Sequence, residues 1–369
     1  MNEKLVGVIH AGSASALNRA GLEIVRFIAN ARGAGLALFG SEGPMGRIAE
    51  TRGVPYRVVR NSGFASGSFR DKVNAARGEL GRLRPEMVYA TSVACSPWVV
   101  AGKQLGAKVV LHVHELRREL MALLHSGATC IDVCAAADVV AVSGDAVASD
   151  LQRCLGFVPD DIIDVGVLLD DVEILRRVQQ KFSARWHSGR QYAQSDRKLV
   201  VMWGAACHRN GIDIFVETAR QMPAHDFLWI GAWTDEANRT ALEKGFMSDN
   251  LDNFYCTGEV DNPYPLIAMC DLFVLTACEV DYPADLVELA ALGIRTVCFS
   301  GSFDSWVLLP RAFYVLHGFP RADRLVKVIS SMTWDDRKTW RQEHLRPPDF
   351  RDRGGLAHLL GELKRRRIL

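Results

Sequence analysis

Short apolar runs of strand length alternate with helix-patterned stretches along this chain, and the alternation happens twice. The first series is KLVGVI, GLALFG, PYRVV, EMVYA, AKVVLHV and ADVVAVS, separated by stretches such as 17–31, 70–83 and 144–155. The second follows the polar stretch KFSARWHSGRQYAQSDRK (181–198) and runs LVVMWG, DFLWIG, NFYCTG, DLFVLTA, RTVCFS and AFYVL. This is the rhythm of parallel α/β sheets. Two doubly wound domains are therefore expected. In such domains ligands gather at the carboxyl ends of the strands, and two of them can turn those ends to a shared central cleft. The expected boundaries are 1–170 for the first domain, 171–197 for a polar connection and 198–335 for the second domain. Helices then close the chain over 336–369 and are free to pack back on the first domain.

A length of 369 residues exceeds what one hydrophobic core usually fills, which agrees with two domains. A net charge of +1 gives no bulk case for nucleic acid. The start, MNEKLVGVIHAG, lacks the long apolar region of a secretion signal, and no segment is apolar for the ~18 residues that span a bilayer. The expectation is a cytoplasmic protein that meets a membrane, if at all, at its inner face. The nine cysteines then read as reduced, packed thiols. Cys130 and Cys134 lie four apart, with no second pair at zinc-site spacing, so no structural metal is expected. The first strand leads to Gly12, but HAGSASALNRAG does not spell G-x-G-x-x-G, which argues against a bound NAD or FAD.

The stretch CEVDYPADLVELAALG (278–293) breaks from an apolar strand into a charged loop and then an oily helix. Pro283 suits a first helical turn and Gly293 a helix end. Exposed N–H groups and the positive end of the helix dipole would favour a phosphate or a sugar hydroxyl there. Glu279 precedes this terminus and Glu288 stands about two turns inside it, so the pair can grip different parts of one ligand. The plain alternative is a surface glutamate plus a helix glutamate bonded to a neighbouring loop.

These residues resemble the donor-site motif of retaining glycosyltransferases of family 4 (glycosyl transferases group 1), in its E-D-P-F-P-L-V-V-L-E-A form. Glu279, Tyr282, Pro283, Glu288, Ala290 and Gly293 fall in place. The likeness extends along the chain: RLRPEMVYATS, AKVVLHVHEL, AADVVAVSGDAVASDL, DFLWIG and FYCTGEVDNPYPLIAMCDLFVLTA follow in that family's order. The resemblance implies a GT-B fold, two Rossmann-like domains facing a central cleft. By the same resemblance Glu279 bonds hydroxyls of the donor sugar and Glu288 the ribose of a nucleoside diphosphate. Asp281, Tyr282 and Pro283 belong to the donor loop, whose backbone amides meet the sugar or distal phosphate. His114 matches a histidine that closes the fifth strand and faces the transferred sugar; a histidine satisfied at a strand end is the alternative. His112 points to the same side of an extended strand. Glu115 either neighbours the acceptor or opens the next helix. Gly12 and Ser13 match a loop near the donor phosphates, although the usual Gly-Gly pair is absent.

The phosphate end departs from the family pattern. Similar enzymes place an Arg and a Lys on the loop after the first strand of the second domain, where this chain has WGAACHRNGIDIF. Gly204 opens the loop, Ala205 stands about where the Arg would be, and Asn210 stands where a Lys-Gly pair is expected. Arg209 is left as the nearby cation, either for the diphosphate or as a solvated loop residue. Asn210 can donate hydrogen bonds without formal charge. No D-x-D stands at a strand end, so neither metal nor cofactor is expected. The implied activity moves a sugar from a nucleoside-diphosphate sugar to a glycan, lipid-linked or small-molecule acceptor with retention, in bacterial surface-polysaccharide or glycoconjugate assembly. The alternatives are a partly degenerate, non-catalytic partner subunit and a nucleotide-sugar epimerase of the same fold. The basic stretches KRRR (364–367) and LRREL (116–120) read first as solvated helix faces and second as a peripheral contact with an anionic membrane.

Overall fold

The computed structural model describes residues 4–12, 16–59, 67–117, 120–121, 130–155, 162–166, 197–234, 251–260, 262–278, 280, 284–300, 313–334, 339–340 and 355–369. The chain divides into two compact units, one of residues 1–169 with 349–369 and one of residues 170–348.

The first unit is built on a parallel sheet of seven strands: β1 (Leu5–Ile9), β2 (Leu36–Phe39), β3 (Tyr56–Val58), β4 (Met87–Ala90), β5 (Lys108–Val113), β6 (Val139–Val142) and β7 (Ile162–Asp164). Their spatial order is β3-β2-β1-β4-β5-β6-β7. The order reverses between β1 and β4, where Val6 pairs with Val88 and Val8 with Ala90. Every residue of β1, β2, β4 and β6 is buried, as the continuous apolar runs require of strands covered on both faces. Side chains alternate along a strand, so the two faces carry two cores. Val6, Val8, Val88 and Leu111 form one with the helices Phe69–Leu83, Ser96–Gln104, Cys130–Ala136 and Asp145–Leu155. Leu5, Ile9, Tyr89 and Val110 form the other with the helices Ala16–Arg32 and Gly355–Arg365. Leu359 and Leu363 of that last helix are fully buried in the first unit's core. The chain therefore completes its amino-terminal domain with its final residues.

The second unit carries β8 (Lys198–Trp203), β9 (His225–Ile230), β10 (Phe254–Cys256), β11 (Leu272–Val274), β12 (Thr296–Phe299) and β13 (Phe313–Leu316), in the order β10-β9-β8-β11-β12-β13. All pairings between these strands are parallel, and the order reverses between β8 and β11. Both sheets are thus doubly wound, as expected. The strand the apolar pattern did not announce is β7: a three-residue edge strand set among Asp160, Asp161 and Asp164 has no apolar run to show.

Among the described residues no helix is long and apolar enough to cross a membrane. Of the basic stretches, Arg365 and Arg366 both pair with Glu362, at 2.6 and 3.4 Å. Leu120 is fully buried in the core.

Candidate functional site

In a doubly wound sheet the loops on either side of the order reversal splay apart at the strands' carboxyl ends and leave a crevice. In the second unit those are the loops after β8 and β11. The β8 loop starts at Gly204, whose φ of +150° and close neighbour Gly231 let two backbones touch; a Cβ on Gly231 would lie 2.0 Å from the Gly204 carbonyl oxygen. The chain then makes one tight turn over His208–Asn210 and enters the helix Ile212–Gln221 through Gly211, at φ +74°. A Cβ on Gly211 would stand 2.2 Å from the carbonyl oxygen of Thr276. The two loops are bonded where they meet. Thr276 Oγ1 donates to the Asn210 carbonyl at 2.8 Å, and the Cys278 N–H donates to the Arg209 carbonyl at 3.0 Å.

This places Arg209 and Asn210 against Thr276 and Cys278, with Gly204 at the start of the same β8 loop. Glu279, Asp281, Tyr282 and Pro283 themselves lie outside the described residues. Arg209 is exposed. The amide of Asn210 is turned into its own loop, where Nδ2 donates to the Ala205 carbonyl at 2.7 Å, so one of its donors already closes the turn. His208 faces Asp213 at 3.4 Å.

The helix after the β11 loop spans Ala284–Ala291 and ends at Gly293, at φ +62°. Leu286, Leu289 and Ala290 are buried, which accounts for its oily composition. Glu288 is the fifth of its eight residues. Its side chain is buried, at 7% exposure, and Oε2 accepts a hydrogen bond from the Tyr264 phenol at 2.8 Å. Tyr264 is itself buried and sets its ring edge-on to Trp203 at the end of β8, with centroids 5.8 Å apart. Sequence reasoning did not single out Tyr264.

Gly12 and His114 belong to the first unit. A Cβ on Gly12 would fall 2.3 Å from the Ser41 carbonyl oxygen, its N–H donates to Ser41 Oγ at 2.9 Å, and its carbonyl accepts from the Met45 N–H at 3.0 Å. The glycine thus serves the close approach of the loops after β1 and β2. Ser13 lies outside the described residues.

At the end of β5 His112 and His114 do project to one side, their ring centroids 3.9 Å apart at 34°. Both are buried. His112 Nδ1 pairs with the Tyr89 phenol at 2.6 Å. Burial pushes His112 down to about 3. Burial, and next the charge His112 would carry, hold His114 well below its usual value. Both rings are neutral at neutral pH, so His114 can donate or accept hydrogen bonds but brings no cation.

Glu115 does not simply open a helix. Its Oε1 accepts from the Ser92 hydroxyl and from the Val93 N–H at 3.0 Å, and Oε2 accepts from the His114 N–H at 3.0 Å. The carboxylate clasps the turn after β4 to the end of β5. Burial raises its pKa, opposed by these hydrogen bonds. Among the described residues no three His, Cys, Asp or Glu side chains are grouped to hold a metal.

No protein-family model and no curated relative matches the chain. Solved structures do. HepE of Anabaena in complex with UDP and glucose superposes with a TM-score of 0.74 at 14% identity, over 99% of this chain and 100% of that one. The fold is GT-B. Sucrose-phosphate synthase from Thermosynechococcus elongatus gives 0.67 at 14% identity, covering 99% of both chains. WaaG, described as a glycosyltransferase involved in lipopolysaccharide biosynthesis, gives 0.66 at 13% identity, over 98% of this chain and 99% of its own. At these identities the likeness is one of architecture. GT-B folds also host other chemistries on the same framework, so the activity has to be argued from the site.

Proposed function

We propose that the chain is a retaining glycosyltransferase, which holds a nucleoside-diphosphate sugar on its second unit and the acceptor on its first. The observation that carries this reading is the junction at the order reversal of the second sheet. There the loop bearing Arg209 and Asn210 is bonded directly to the residue before Glu279. One crevice loop would thereby serve the diphosphate and the other the sugar and ribose. HepE, which shares the fold, binds UDP and glucose.

In this reading Glu288, held by Tyr264, accepts hydrogen bonds from the ribose hydroxyls. Glu279 accepts from the donor sugar, and the loop that includes Asp281, Tyr282 and Pro283 completes the donor site. Charge-assisted bonds of this kind are the strong ones. The bond between the anomeric carbon and the diphosphate breaks with its electron pair leaving on the diphosphate, and the acceptor oxygen bonds to the same face. The acceptor's proton passes to the departing phosphate oxygen. Arg209 and the backbone amides of the Gly204–Gly211 loop meet the charge that develops. Neutral His114 hydrogen-bonds the transferred sugar. The transfer needs no metal or cofactor and serves glycan or glycoconjugate assembly.

Radiolabelled nucleotide-sugars supplied with candidate acceptors test the reaction. Label in an acceptor with the anomeric configuration retained is the expected result; donor converted without any acceptor would identify an epimerase. Glu288→Ala should weaken nucleotide affinity and Glu279→Ala chiefly slow turnover. Kinetics unchanged in both variants would sink the site.

A further inference from the structure

A cavity of about 380 Å³ opens in the first unit at the carboxyl ends of β1, β2 and β4, beside the order reversal of that sheet. Its size falls in the range of about 300–1,000 Å³ used by small-molecule sites. Val8, Leu38, Val59 and Trp98 give it an apolar wall. The polar groups that a sugar would need are few and already committed. The Ser96 hydroxyl donates to the Val93 carbonyl, and Cys95 Sγ donates to the Val8 carbonyl at 3.8 Å.

Charge in the lining is one-sided. Lys72, half-buried on the first turn of the helix Phe69–Leu83, makes no ion pair among the described residues, and none of the described lining residues is acidic. The acid next to Lys72, Asp71, is occupied in capping that helix, exchanging bonds with Ser68. Burial keeps Cys95 as a thiol. The exposed ring of His10 stands at the rim.

We propose that this cavity receives the apolar body of an acceptor whose anionic group, a phosphate or a carboxylate, pairs with Lys72. The proposal rests on the transferase reading above and narrows its acceptor from a plain glycan to an amphiphilic anion. The cavity wall is held by the same carboxylate that fixes the end of β5: Glu115 binds the N–H of Val93, itself a lining residue. The cavity and His114 are thus tied to one clasp at one edge of one sheet. A lipid phosphate and a soluble aryl phosphate share the chemistry described, and they differ in how affinity grows with the apolar body.

Isothermal calorimetry on the full chain tests this with butyl, hexyl and phenyl phosphate, hexanol, hexyl glucoside and inorganic phosphate. Affinity should rise by about three- to four-fold per added methylene if the natural body is a lipid chain. Phenyl phosphate outcompeting hexyl phosphate would instead point to an aryl body. Hexyl phosphate should bind about ten-fold more tightly than hexanol or hexyl glucoside, and Lys72→Met should erase that difference while leaving hexanol binding unchanged. Ala94→Phe, which fills the cavity, should abolish binding of both, with circular dichroism confirming the fold. Inorganic phosphate binding as well as hexyl phosphate, or binding unaltered in both variants, overturns the proposal. UDP is titrated into the same preparation: amphiphile binding without UDP binding defeats the donor reading and upholds the cavity, whereas UDP binding without amphiphile binding does the reverse.

Discussion

The phenol of Tyr264 donates to Oε2 of Glu288 at 2.8 Å, and both side chains are buried. Buried polar groups are costly unless bonded, so this contact holds the acceptor oxygen in place before any ligand arrives. Tyr264→Phe removes this one donor. Nucleotide affinity measured by calorimetry should fall by about ten-fold, and stability by about 0.5–1.5 kcal/mol, the usual net contribution of one hydrogen bond. Affinity unchanged in the variant would mean that Glu288 is oriented by other contacts.

Arg209 contributes to the loop through its backbone carbonyl, which accepts from Cys278, while its side chain is exposed. Arg209→Ala should therefore leave unfolding within about 0.5 kcal/mol of wild type, as surface changes do. If its guanidinium meets the leaving diphosphate, turnover should fall by about a hundred-fold. Initial rates of label transfer together with urea unfolding separate the two effects. A rate equal to wild type would make Arg209 a solvated loop residue.

Much of this architecture was legible because a strand buried on both faces must be apolar throughout, as β1, β4 and β8 nearly are. The short β7 had no such run. Side-chain partnerships were not legible for a different reason: periodicity reports contacts a few residues apart, whereas Tyr264 and Glu288 are 24 apart and Ser92 and Glu115 are 23 apart. Glu115 accordingly read as either a neighbour of the acceptor or a helix-opening acid, and its bonds between two strand ends were not foreseen. Gly12 was read as part of a loop near the donor phosphates, and its backbone meets another loop. That it matters for the approach of Ser41 and Glu42 is a property of two loops meeting, which no local pattern encodes.

The histidines at the end of β5 give the fold an acid sensitivity. Burial holds His112 at about 3 against an ordinary value of 6.5. Between those values the unfolded chain takes up a proton that the folded chain does not. Stability from this ring is complete above pH 6.5 and is lost as pH falls towards about 3, by about 1.4 kcal/mol per pH unit. His112→Gln keeps a polar partner for Tyr89 without a titrating ring. Urea unfolding at a series of pH values should show a shallower acid slope in the variant, with His114 supplying what remains. Parallel slopes would exclude His112 as a source.

Gly211 offers the sharpest test of the junction on which the proposed donor site depends. Its φ of +74° already disfavours any other residue, and a Cβ there would lie 2.2 Å from the Thr276 carbonyl oxygen, a contact with backbone that no rotamer relieves. The Gly211→Ala chain must push the β8 loop and the β11 loop apart. That separation would stretch the bonds from Thr276 to Asn210 and from Cys278 to Arg209. The expected outcome is a loss of about 1–3 kcal/mol in stability, the usual cost of such backbone strain. If the proposed donor site spans this junction, nucleotide affinity should fall by more than that strain alone requires. Gly33→Ala is the control: it also sits at positive φ, +82°, but has no neighbour within 4 Å. That variant should lose stability and keep its nucleotide affinity. If both variants bind nucleotide as wild type does, the junction of the two loops is a feature of the fold and the donor site lies elsewhere.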